Sequence, residues 1–290
     1  MKIKSMLDSL LVLLLPASAF WLTGCTGLQL LNATVSHRGY IRTTNISYGS
    51  DPRQKLDVYI PKPMAPNAKV VIFFYGGSWR EGSKTDYRFV AQALTSRGFI
   101  VVLPNYRVYP AVIFPGFVED GASAVCWVRN NIATFGGDVN HLYLMGHSAG
   151  SHIAALLTLD GHYLKDLGLD RSIISASATL AGPYDFTPNP RDRPVFGMGT
   201  NQTAINPEIE PITFADGTEP PMLLVQGLQD AIVAPSNAVN LAARIRQSGG
   251  EVEYVTYAKC GHASVVVALV WPYQWLAPVL QDVAAFIDRH

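Results

Sequence analysis

The chain has 290 residues, 49% of them apolar and 15% charged, with 22 Lys and Arg set against 22 Asp and Glu. Without the N-terminal segment considered next, about 265 residues remain, enough for one large domain with an ample core. Balanced charge and the lack of any run of five Lys or Arg remove the electrostatic attraction that a phosphate backbone requires, so nucleic acid is not an expected partner.

The first 25 residues carry Lys2 and Lys4, an apolar run from Leu10 to Leu15, a break at Pro16, and then Leu22-Thr23-Gly24-Cys25. A basic start followed by a short apolar stretch and small residues predicts an export signal. A spanning helix is disfavoured because the stretch falls short of the roughly 20 residues a bilayer requires and Pro16 interrupts it. The tetrapeptide resembles a bacterial lipobox. That resemblance implies a signal peptide over residues 1–24, acylation of Cys25 as the mature first residue, and a lipid-anchored envelope protein. Thr26, not an aspartate, implies the outer membrane by the same analogy. Several acyl chains suffice for a lasting anchor, since each buried CH₂ is worth about 0.8 kcal/mol.

From residue 37 onward, β-rich apolar runs alternate with amphipathic ones, without internal repeats, which predicts an α/β domain with a mostly parallel sheet. Residues 37–49 and 54–61 read as two strands of an antiparallel edge. Val70-Val71-Ile72-Phe73-Phe74-Tyr75 reads as a central strand covered on both faces. A one-sided helix over 85–97, with Phe89, Val90, Ala93 and Leu94 inward, ends at Gly98. Strands are expected at 99–103, 141–145, 175–180, 222–225 and 252–257, and helices at 114–133, after Ser148, at 236–247 and at 275–289. About 35 residues from 183 to 220, rich in Pro, Asn and Gly and without periodicity, are expected to form a cap or substrate loop.

The segment Gly146-His147-Ser148-Ala149-Gly150 joins an apolar strand to a helical run. Such a turn pushes the serine hydroxyl out of the sheet, and its glycines avoid collisions with the neighbouring strand and helix. A serine nucleophile needs a base oriented by a carboxylate, both at the ends of later strands. Asp230 follows the strand ending Val225-Gln226-Gly227, and His262 follows the last strand after a short loop. Asp185 is the rival acid. Among the other histidines, His147 is expected to point away from the site and His152 to lie on a helix descending from it. Attack on a carbonyl also requires oxyanion donors. Ala149, at the positive end of its helix, supplies one amide, and the loop Tyr75-Gly76-Gly77-Ser78-Trp79 is expected to supply the other from Gly77 or Ser78. The alternative for that loop is an ordinary Gly-Gly turn.

With Gly76-Gly77-Ser78-Trp79, Asn105-Tyr106-Arg107, Phe135-Gly136-Gly137-Asp138, Gly146 to Gly150, Gly227 to Asp230 and Gly261-His262 in this order, the chain resembles the α/β-hydrolases of the esterase and lipase group. That group includes hormone-sensitive-lipase-like carboxylesterases, acetyl xylan and feruloyl esterases, and arylformamidases. The likeness runs from about residue 45 to the C-terminus. It implies an eight-stranded, mostly parallel sheet with helices on both faces in one domain over 25–290, and hydrolysis of small acyl or aryl esters by Ser148, His262 and Asp230 without a cofactor. Tyr75 stands where such families usually carry a histidine.

Trp79, Tyr184 and Phe186 are the aromatic residues nearest the expected site in the chain and are candidates to wall a substrate pocket. Arg107 and Asp120 are read as a buried ion pair tying a loop to a helix. The sequence does not decide whether Cys126 and Cys260 pair, but both are expected to be free and buried, and no metal-ligand spacing occurs. An amidase or formamidase on the same triad, and a non-catalytic ligand-binding lipoprotein, are the competing functions. A neutral histidine base predicts activity that rises through roughly pH 6 to 7.

Overall fold

The computed structural model describes residues 38–199 and 206–290, together with positions 27, 31, 32, 35, 36 and 202. The expected signal segment, Cys25 and His37 lie outside the described residues. Two strands open the domain, β1 (Tyr40–Ser47) and β2 (Lys55–Pro61), and are antiparallel to each other. The chain then alternates: β3 (Ala68–Phe74), α1 (Arg88–Thr95), β4 (Ile100–Pro104), α2 (Gly116–Asn131), β5 (Gly137–His147) and α3 (Ala149–Leu159). After the short α4 (His162–Lys165) come β6 (Ile174–Leu180), β7 (Met222–Gly227), α5 (Ser236–Ser248), β8 (Val252–Tyr257), α6 (His262–Val267) and α7 (Val279–Arg289).

The strands form one sheet in the order β1-β2-β4-β3-β5-β6-β7-β8. β2 joins β4 antiparallel, and every later pairing is parallel. Helices cover both faces: α1 touches α7, and α2 packs on α3. Burial follows sheet position. All five residues of β4 and six of the seven in β3 are buried, whereas β8, at the sheet edge, is only half-buried. Because β3 to β8 run the same way, the segments after their carboxyl ends gather along one edge.

Differences from the sequence reading have local causes. The helix expected over 85–97 divides into a 3₁₀ turn, Lys84–Tyr87, and α1. The last helix starts at Val279 rather than 275, directly after Pro278, which disfavours a helical conformation for the residue before it. Helix α6 was not expected, since its run of three valines has poor helical propensity. Arg107 and Asp120 do form the expected pair: Nη2 to Oδ1 is 2.7 Å, the Arg107 amide donates to Oδ2 at 2.7 Å, and Gln54 Nε2 donates to Oδ1 at 2.7 Å. Both described cysteines are free; Cys260 is buried, whereas Cys126 is only half-buried.

Candidate active site

Ser148 begins where β5 stops. Its φ of 55° and ψ of −122° place a non-glycine residue in a strained conformation, and its amide donates to Leu180 O at 3.0 Å. Ser151, one turn on, donates to the same carbonyl at 2.8 Å and accepts from the Leu180 amide at 2.9 Å, so the start of α3 is tied to the end of β6. The flanking glycines are dictated by backbone. A Cβ on Gly146 would stand 2.3 Å from Gly150 O, and one on Gly150 would stand 2.0 Å from Phe74 O.

His262 lies on the loop after β8, at the first residue of α6. Its Nε2 is 2.9 Å from Ser148 Oγ, and its Nδ1 is 2.8 Å from Asp230 Oδ2. An ionised carboxylate only accepts, so Nδ1 carries the proton and Nε2 is free to accept from the serine hydroxyl. Asp230 Oδ1 also accepts from the amides of Ile232 and Val233, each at 2.9 Å, and Oδ2 accepts from Gln226 Nε2 at 3.1 Å. Burial raises the proton affinity of this carboxyl, but the hydrogen bonds and the His262 ring outweigh it, and its pKa lies below the ordinary aspartate value. Asp185, the rival acid, is turned elsewhere and accepts from Asn240 Nδ2 at 2.5 Å.

The glycine loop after β3 abuts the nucleophile. A Cβ on Gly76 would lie 3.0 Å from Ser148 Cβ, and Gly77, at φ 140°, has Glu81 O where a Cβ would stand, 2.2 Å away. Ser78 and Trp79 follow at φ 51° and 57°, an unusual conformation for two successive side-chain-bearing residues. Ser78, Ala149 and Ser148 line one cavity, so the loop and the start of α3 face the same space. Tyr75 is buried: it stacks on Tyr106 with ring centroids 4.5 Å apart and accepts from Arg53 Nη2 at 3.0 Å. Tyr106 in turn donates to Tyr75 O at 2.7 Å, which fixes the backbone where the loop departs.

The BD-FAE family model matches residues 56–245. The chain belongs to the BD-FAE family. Esterase LipC of Mycobacterium tuberculosis is 32% identical to this BD-FAE chain over 248 residues, covering 78% of this chain and 60% of LipC. The probable isoprenylcysteine alpha-carbonyl methylesterase ICMEL1 of Arabidopsis thaliana is 38% identical over 152 residues, 50% of this chain and 32% of that one. The chain thus spans at most 60% of the length of these curated relatives. A truncated carbohydrate esterase from gut microbiota shares the fold with a TM-score of 0.76 at 23% identity, covering 88% of this chain and 98% of that one.

The cavity of the BD-FAE chain measures about 300 Å³. Trp79, Phe186, Ile232 and Val233 give it apolar walls, and Thr187, Asn189 and Asp192 give it polar ones. Trp79 stacks on Phe186 at 6.1 Å and meets Phe196 edge-on at 4.9 Å. Residues 183–192 of the long loop supply part of this wall, and Asp192 is fixed by Arg80 Nε at 3.4 Å. Tyr184, expected at the pocket, is not there. It is 1% exposed, and its hydroxyl donates to Thr179 Oγ1 at 2.7 Å. The reason is Gly182: a Cβ there would lie 2.5 Å from the Tyr184 ring, so the bare glycine lets the ring fold back into the core beside Leu224.

Two histidines have roles that the sequence reading missed. His147 does not point away: its Nε2–H donates to His262 O at 3.0 Å, the two rings are 4.9 Å apart, and Nδ1 accepts from Tyr87 OH at 3.3 Å. It therefore braces the backbone that carries His262. Burial, with repulsion from His262, holds its pKa down to about 3, so it is neutral. His152 is wholly buried among Trp79, Phe186 and Phe196, and its Nε2–H donates to Ile209 O at 2.8 Å, tying the far part of the long loop to α3. Burial lowers its pKa to about 4. The only sequence signal for either was a histidine on each side of Ser148. No cluster of metal ligands occurs among the described residues.

Proposed function

We propose that the chain is a serine carboxylesterase acting on small acyl or aryl esters through an acyl-enzyme. The observation that carries this reading is the unbroken chain from Ser148 Oγ to His262 Nε2 and from His262 Nδ1 to Asp230, at 2.9 and 2.8 Å. Ser148 Oγ attacks the ester carbonyl carbon as its proton passes to His262 Nε2. The resulting oxyanion is received by the amides of Ala149 and of Gly77 or Ser78. Collapse of the adduct breaks the ester C–O bond, and His262 returns the proton to the leaving alcohol. Water, deprotonated by His262, then attacks the acyl carbon and releases the acid and Ser148. Asp230 keeps the imidazole in the required tautomer and stabilises its cation. The esterase names of the relatives support the same chemistry.

The test is labelling by a fluorophosphonate probe, present in the parent and lost in Ser148→Ala, together with a fall in turnover of about 10⁴ to 10⁶. Labelling that survives the substitution refutes the role of Ser148. Rates on an aryl acetate and on an N-formyl aryl amine, measured side by side, separate an esterase from a formamidase on the same triad.

Cys25 as a lipid anchor belongs to the same proposal, supported by the basic, apolar and Leu22-Thr23-Gly24-Cys25 segments in that order. Globomycin should cause the precursor to accumulate. Processing indifferent to globomycin and to Cys25→Ser refutes the anchor.

A further inference from the structure

The apolar side chains left in solvent are unevenly distributed. Among the described residues nine large apolar side chains are exposed, and five of these lie in the connections that lead from β4 to α2 (Ile113), from β7 to α5 (Leu228 and Ile232) and, beyond α6, from β8 to α7 (Trp271 and Trp275). This concentration lies on the edge of the sheet that carries Ser148, and Ile232 itself lines the cavity. Trp271 and Trp275 are the most exposed, at 79% and 77%. Their segment is held at the level of the site: Leu276 O lies 3.9 Å from Cys260 Sγ, two residues before His262, and Tyr257 OH, at the end of β8, donates to Asp282 of α7 at 2.5 Å.

The upstream chain reaches the same edge. Asn32 Nδ2 donates to Thr85 O at 3.0 Å and to Asp86 O at 2.6 Å, and its Oδ1 accepts from the Phe89 amide at 3.1 Å. These partners lie at the start of α1, just after the loop from the carboxyl end of β3. Since α1 touches α7, the entry point and the tryptophan segment share one side of the sheet. Seven residue steps separate Asn32 from Cys25, a span of at most about 25 Å even fully extended.

We propose that this edge docks on a phospholipid bilayer, with Trp271 and Trp275 in the interfacial layer and the cavity mouth turned toward the lipid. The choice of a bilayer over a protein rests on the lipid-anchor reading of Cys25, because so short a tether holds the edge within reach of the membrane that receives the acyl chains. Tryptophan suits the place, since its ring is apolar while its N–H seeks water or headgroups. With attachment supplied by the anchor, the patch has only to set the orientation.

The test uses the full chain with Cys126→Ser, reconstituted in vesicles of phosphatidylethanolamine and phosphatidylglycerol whose acyl chains carry a spin-label quencher. A fluorophore is placed at Gln274→Cys, between the two tryptophans, or at Asp166→Cys, after α4 at the opposite edge. Both positions are exposed. The label at 274 should be quenched several-fold more than the label at 166, and Trp271→Ser with Trp275→Ser should abolish the difference. Hydrolysis of a soluble aryl ester confirms that each variant is folded. Equal quenching at both positions with the tryptophans present overturns the docking. Globomycin sensitivity is read on the same strains. Precursor processing indifferent to the drug, with strong quenching at 274, sinks the anchor and keeps the docking; processed chain with equal quenching keeps the anchor and sinks the docking. Failure of both readouts sinks both.

Discussion

Two buried neutral histidines make the stability of this fold dependent on mild acid. His152 has its pKa lowered to about 4 by burial, against an ordinary 6.5, and the same cause takes His147 to about 3. Between those values and 6.5 the unfolded chain binds a proton at each position and the native state does not, so acid favours unfolding. The stabilisation is complete above pH 6.5, declines as the pH falls, and stops declining for His152 near pH 4, where the native state also takes up the proton. From pH 7 to pH 5 the unfolded state gains about 2 kcal/mol at each residue, from one pKa unit being worth 1.36 kcal/mol. The clean perturbation is His152→Gln, whose amide can still donate to Ile209 O but does not titrate. Urea unfolding at pH 7, 6 and 5 should show the stability of the parent minus that of the variant falling by about 2 kcal/mol from pH 7 to pH 5, whatever its value at pH 7. Curves that stay parallel would refute the claim that His152 is buried and neutral.

The acid limb of kcat/KM should have unit slope, because Asp230 is held below the ordinary carboxylate range and His147 near 3, leaving one proton between inactive and active forms above pH 5; a slope of two in a pH–rate profile contradicts this. Gly150→Ala brings a methyl to 2.0 Å from Phe74 O and should lower stability by about 1 to 3 kcal/mol in thermal unfolding and move the oxyanion loop, with a large loss of kcat. His147→Ala removes the brace on the His262 backbone and should lower kcat by about 10²-fold with little change in KM, the effect of a displacement of about 1 Å in a reacting group. Phe186→Ala should change chain-length preference across an aryl-ester series, whereas Tyr184→Phe should leave it unchanged and cost about 1 kcal/mol of stability through the lost bond to Thr179.

What could be read from the sequence was what backbone geometry dictates. Gly146, Gly150 and Gly77 are glycines because carbonyl oxygens occupy the space of a Cβ, so their spacing around Ser148 and in the loop after β3 marks both features in the sequence itself. Asp230 and His262 were legible because each closely follows a parallel strand, and strand order alone brings such loops to one edge. Side-chain direction was not legible in the same way. Tyr184 and Phe186 are two residues apart in one loop, yet Phe186 lines the cavity and Tyr184 is in the core, a choice made by the missing Cβ of Gly182. His147 and His152 are likewise known only by their partners, His262 O and Ile209 O, which lie 115 and 57 residues away in the chain. Those two bonds join the nucleophile turn to the base loop and to the pocket loop. The backbone therefore puts the reacting groups on one edge, and two uncharged histidines flanking Ser148 hold the neighbouring loops to it, which is why the structure of the site and its tolerance of acid are properties of the same residues.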